Sequence, residues 1–164
     1  VRRGTRWSNP FPGDPEPQDF GGALPDVAGS LAAAAALQAT LAERAEVDGR
    51  RRGLVDRIRE VAAALPDTEV VGDPVERLPH LVCVSIADIE PQAVLLGLDR
   101  IGVAAHSGSA CASEVLEPSP VLEAMGVDAH RSLRLSVGWN TTDADLDAAL
   151  DALPGILADL RSLR

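Results

Sequence analysis

Apolar positions along this chain follow first a helical spacing and then a strand-like one. From Asp26 onward, Val27, Leu31, Ala34, Leu41 and Ala45 recur near the helical period, and Leu54, Ile58, Val61 and Leu65 repeat it more cleanly. Gly49 and Gly53 surround the arginine triplet Arg50 to Arg52, so the pattern predicts either two helices parted there or one long helix weakened there. The period then changes. Glu69 to Val71 and Leu81 to Ile86 are short runs rich in Val and Ile, bounded by Gly72, Asp73, Pro74 and Pro79, and they predict strands. Pro91 opens a helix through Leu98, at the first turn where a missing N–H costs nothing. Val103 to Ala105 predicts a third strand.

The stretch His106 to Ser113 is small and polar, has neither period, and predicts a loop. Ser119 as a cap, Pro120 in a first turn and Gly126 as a stop enclose a short helix. Leu133, Leu135 and Val137 alternate with Ser132, Arg134 and Ser136, the two-residue period of a strand buried on one face, which turns Arg134 away from the core. Thr142 then caps a helix with Asp143 and Asp145 in its first turn and Leu146, Leu150, Leu153, Leu157 and Leu160 as its apolar stripe, kinked at Pro154. These elements predict an α+β fold, a small mixed or antiparallel sheet with helices packed on one side. Residues 1–20, with Pro10, Pro12, Pro15 and Pro17, read as an extended arm or linker, and 21–164 as the folded domain.

Composition narrows the partners. The 164 residues are 46% hydrophobic, enough for one compact unit. A formal charge of −10 disfavours nucleic acid and anionic membrane, whose binding draws on clustered Lys and Arg, and two Phe, two Trp and no Tyr leave few rings for stacking bases. The most apolar stretch, Val27 to Leu37, falls well short of the ~20 residues that span a bilayer. Two cysteines do not make a disulfide framework, so a reducing cytoplasm is expected. Val1 in place of a methionine predicts a chain cut from a longer one, and the 15 basic residues include no lysine.

Cys111 carries the most chemistry, because a thiol in a loop of Ser, Gly and Ala has the access that a nucleophile or persulfide carrier needs, whereas Cys83 lies in a strand as a structural cysteine would. A zinc set of His80, Cys83, His106 and Cys111 fails on spacing, since His80 and Cys83 leave an extended segment on opposite faces; no metal site is expected. A cysteine hydrolase would need His106 or His130 as the base for Cys111. Arg134 is either a surface arginine on a strand's wet side or a fork for a carboxylate.

Three ordered segments carry a family resemblance: Ser107-Gly108-Ser109-Ala110-Cys111, then Leu116-Glu117-Pro118-Ser119 with Val121-Leu122 and Met125-Gly126, then Ser132-Leu133-Arg134-Leu135-Ser136-Val137-Gly138. Their order and separations resemble the C-terminal segment of the cysteine desulfurases of the class V aminotransferase family. The resemblance implies pyridoxal phosphate as cofactor, L-cysteine as substrate, Cys111 as the thiol that takes its sulfur as a persulfide and leaves alanine, and Arg134 as the holder of the substrate carboxylate. It further implies a homodimer and delivery to a sulfur-acceptor protein, as in iron-sulfur cluster assembly. Two departures stand beside it. The lysine that holds the cofactor would precede Val1, so no residue of this chain is expected to bind the cofactor and the chain alone is expected to be inactive. Where the family places a phosphate-contacting threonine, this chain reads Asp19-Phe20-Gly21-Gly22, which keeps open a scaffold or binding domain of the same fold without catalysis.

Overall fold

The computed structural model describes residues 26–107 and 119–163. The chain divides into two units, Val1–Glu43 and Arg44–Arg164. In the first, the described residues from Val27 onward are helical. Asp26 accepts a hydrogen bond from the Gly29 amide at 2.8 Å and so caps the start, and Val27, Leu31, Leu37 and Leu41 are all exposed.

Helix α1 runs unbroken over Val27–Ala64, so the two glycines weaken it without parting it. Each costs about 1 kcal/mol against alanine in a helix interior. Burial of Leu54, Val55, Ile58 and Ala62 on the following turns offsets that cost. The arginine triplet helps as well. Arg50 donates to the carbonyl of Trp139 at 3.1 Å and to that of Thr141, Arg52 donates to the carbonyl of Arg77 at 3.3 Å, and Arg51 lies 3.8 Å from Asp48.

Strands β1 (Thr68–Val71), β2 (Leu81–Ile86) and β3 (Ser132–Ser136) form one wholly antiparallel sheet in the order β1-β2-β3. The registers Val71 opposite Cys83 and Cys83 opposite Arg134 fix the faces. Val70, Val82, Val84, Ile86, Leu133 and Leu135 share one side, which packs with Leu54, Val55 and Ile58 of α1 in the main core. The same core takes Val94 and Leu98 of α2 (Pro91–Asp99) and Leu146, Leu153 and Leu157 of α4 (Asp143–Ser162). Helices α2 and α4 approach closely at Gly97, where an added Cβ would come within 2.6 Å of Ile156 Cγ2.

The other face is not bare. The short α3 (Pro120–Ala124) and a 3₁₀ turn at Ala129–Arg131 bring Leu122 and Ala129 into a second, smaller cluster with Val71, Cys83 and Val127. The three longer helices thus pack on one side, as the apolar pattern predicts, and these two short pieces cover part of the other. Ser119 occupies the cap position of α3 but makes no side-chain cap bond, whereas Thr142 and Asp145 form a reciprocal capping box at the start of α4 (2.9 and 3.2 Å). Helix α4 continues through Pro154. The expected third strand over Val103 to Ala105 does not form. The Val103 amide turns back to the Leu98 carbonyl at 3.0 Å, Gly102 is left-handed (φ 79°), and the chain becomes extended enough to pair only at His106.

Candidate functional site

Strand β3 is short and its period of two sends neighbouring side chains to opposite sides. Leu133 is fully buried in the main core, and Arg134 leaves the other face, away from that core as its alternation requires. It is half-buried there. Its strand is anchored at the base by Ser132, a buried residue whose hydroxyl donates to the Ala129 carbonyl at 3.1 Å.

A row of residues crosses the sheet through Arg134. Val71 faces Cys83 and Cys83 faces Arg134 in register, and beyond β3 an isolated bridge sets His106 against Arg134. The His106 amide donates to the Arg134 carbonyl at 3.2 Å and the Arg134 amide donates to the His106 carbonyl at 2.6 Å.

Cys83 lies in β2 and packs, half-buried, against the smaller cluster, because Val82, Val84 and Ile86 take the main core side of the strand. Burial pushes its thiol up from the ordinary value, and the Arg134 guanidinium pulls it partly back down, so the two side chains feel one another. A thiol held protonated in this way is a poor nucleophile.

Arg134 has a cation to offer. The carboxylates near the base of β3 are held by Arg131, at 3.3 Å from Asp88 and 3.0 Å from Asp128, and among the described residues no carboxylate lies within ion-pair reach of Arg134. Other arginines are engaged in holding the fold: Arg57 pairs with Asp143 at 2.9 Å and with Asp147, and Arg77 pairs with Asp56. A half-buried guanidinium without an internal carboxylate is suited to a planar, two-oxygen anion from outside.

The remaining candidates separate. Cys111 and the Asp19 to Gly22 stretch lie outside the described residues. His130 is exposed on the 3₁₀ turn, its amide bonded to the Asp128 carboxylate at 3.1 Å. His80 precedes β2, and its carbonyl accepts from the Val137 amide at 3.0 Å. Among the described residues no group of three or more His, Cys, Asp or Glu could hold a metal ion, and no helix is long and apolar enough to cross a membrane. The pairing of His106 with Arg134 was missed in the sequence. A lone histidine at a loop entrance carries no signal of its cross-strand partner.

A family model described as aminotransferase class-V matches residues 14–149. The cysteine desulfurase IscS 1 of Archaeoglobus fulgidus is 36% identical over 99% of this chain and 44% of its own length. A cysteine desulfurase of Cereibacter sphaeroides is 42% identical over 70% of this chain and 31% of its own. The chain thus spans less than half the length of these relatives. Among solved structures, a NifS-like protein superposes with a TM-score of 0.80 at 22% identity, covering 98% of this chain and 41% of that one. A NifS-like protein from Rickettsia africae gives 0.61 at 26% identity, over 71% of this chain and 30% of that one.

Proposed function

Because this chain belongs to the class-V aminotransferase family, we propose that it is the C-terminal, cysteine-bearing part of a cysteine desulfurase that depends on pyridoxal phosphate. The observation that carries the reading is the similarity to proteins named cysteine desulfurase across 99% of the chain. The guanidinium of Arg134, on the sheet face opposite the main core and with no carboxylate partner among the described residues, supports it from the structure. In this reading Arg134 grips the carboxylate of L-cysteine. Cys111 accepts the sulfur, so that one thiol and one cysteine become one persulfide and one alanine, with electrons conserved. The persulfide then passes to a sulfur-acceptor protein, as for iron-sulfur cluster assembly, and the whole protein works as a homodimer in the cytoplasm.

The residues present do not fit the cofactor by themselves. No lysine occurs among the 164 residues to hold it, and the region matching the family's phosphate-contacting threonine reads Asp19-Phe20-Gly21-Gly22. Bound pyridoxal phosphate supplies the electron sink that makes a substrate C–S bond breakable. Its attachment is therefore assigned to residues outside this chain, and what belongs here is the carboxylate grip and the acceptor thiol. The two have opposite mechanical needs: an anchor must be fixed, which a strand provides, and a thiol that hands sulfur onward needs access.

The test joins this chain to a lysine-bearing cofactor domain, in one polypeptide or as a separate piece, and adds pyridoxal phosphate and L-cysteine. Alanine should form, and the peptide holding Cys111 should gain the mass of one sulfur atom. With Cys111→Ala the joined protein should keep the cofactor's visible absorption and lose the sulfur transfer. Cofactor binding without any persulfide in the parent protein would favour a scaffold of the same fold, the reading that the missing threonine keeps in play.

A further inference from the structure

The row across the sheet ends on His106. His106 and Arg134 exchange both backbone hydrogen bonds, which makes them a hydrogen-bonded antiparallel pair. Side chains of such a pair leave the same face from Cα atoms about 5.5 Å apart. Imidazole and guanidinium are therefore neighbours on the face opposite the main core.

The imidazole has an unmet need. His106 as a residue is half-buried, yet its ring Nδ1 is shut off from solvent and has no hydrogen-bond partner among the described residues. Leaving a buried polar atom unpaired is costly, and native structures nearly always satisfy it through protein, water or a ligand. Beside it stands an arginine with no carboxylate among the described residues, since Asp88 and Asp128 are held by Arg131. A buried ring nitrogen and a half-buried guanidinium on one rung, neither paired to a carboxylate among the described residues, make a recognition point for an anion with more than one acceptor oxygen. A carboxylate gripped by the guanidinium retains lone pairs that a ring N–H can engage.

We propose that His106 is a positioning and specificity residue for the carboxylate that Arg134 holds, its ring N–H completing a two-residue clamp that selects amino acids over amines. This rests on the assignment of Arg134 as carboxylate anchor. The clamp is built into the backbone, because the same two hydrogen bonds that seat His106 also seat Arg134. Movement of one carries the other.

The chain is titrated with L-alanine, which carries the carboxylate, and with ethylamine, which carries the amine alone. NMR follows the side-chain Nε–Hε signal of Arg134 and the ring C–H signals of His106. Both should move on one saturation curve with L-alanine and stay still with ethylamine. His106→Phe should raise the dissociation constant about three- to tenfold, the ratio that one hydrogen bond commands. His106→Gln keeps an N–H and should recover most of the affinity, which a merely structural role would not explain; the backbone amide spectrum of each variant checks the fold. An Arg134 response whose dissociation constant is unaltered by His106→Phe overturns the role of His106 and leaves the arginine assignment standing. No response of either residue to L-alanine overturns both.

Discussion

The two faces of the sheet are made from the same three strands and differ in what each residue is asked to do. On one side Val82, Val84, Ile86 and Leu133 are almost wholly buried against three long helices, so their contribution is area removed from water and close packing. On the other, Val71, Cys83, Arg134 and His106 lie in one row, and among the described residues a short helix and a 3₁₀ turn cover part of it. Stability is concentrated on the first face and unspent polar capacity on the second. Adjacent residues of one strand, Leu133 and Arg134, therefore serve different ends at a separation of a single peptide bond.

Truncating those two neighbours should expose the division most sharply. Leu133→Ala removes a fully buried side chain and should lower unfolding free energy by about 2–5 kcal/mol, whereas Arg134→Ala should stay within about 1 kcal/mol; urea denaturation of the two variants measures both. Equal losses would erase the distinction between the faces. In the protein joined to its cofactor domain, Arg134→Lys should weaken L-cysteine binding with the melting temperature unchanged, because a point charge does not reproduce a two-pronged grip. The lost charge-assisted bond is worth roughly 1.5–3 kcal/mol, or tenfold and more in the Michaelis constant. An unaltered Michaelis constant would remove the substrate role from this face.

The mildest effect concerns the thiols. Cys83 should react more slowly with an alkylating reagent than Cys111, since burial raises its pKa above the ordinary 9.0 and leaves little thiolate at neutral pH. Its labelling rate should climb as pH rises past 9.0. Arg134→Ala withdraws the positive charge that pulls the pKa down and should slow the labelling further at any fixed pH below that range. Mass spectrometry of the two peptides after brief exposure at several pH values would show it, and equal labelling of both cysteines would contradict it.

Much of this architecture could be read from local pattern. The alternation through Leu133, Leu135 and Val137 turned Arg134 off the core, and Thr142 with Asp145 announced the start of α4, because periodicity and capping depend on residues within a few positions of one another. What stayed hidden depends on distant partners. The two glycines did not break α1 because Leu54, Val55 and Ile58 on the following turns are packed from elsewhere in the fold. Val103 to Ala105 has strand-like composition, but the Val103 amide is taken by the end of α2. The second apolar cluster, which covers Cys83, requires Leu122 of α3 and Ala129 of the 3₁₀ turn to meet Val71 from across the chain. Likewise the row from Cys83 through Arg134 to His106 exists only once the registers of β2, β3 and the bridge are known. For Cys111 the sequence motif remains the source of the assignment.

The order of the strands also has a meaning in time. A short connection from Val71 to Leu81 joins β1 to β2, so that pairing is a local hairpin, whereas β3 meets β2 only after the chain has passed from Ile86 to Ser132. Closing a longer loop costs more entropy, and non-local pairings are the slower ones to form. The rung that seats Arg134 is thus expected to be completed late, on a hairpin already in place. Small packing changes in β3 should then accelerate unfolding more than they retard folding, and comparable changes within the hairpin should do the reverse, a contrast that chevron plots would resolve.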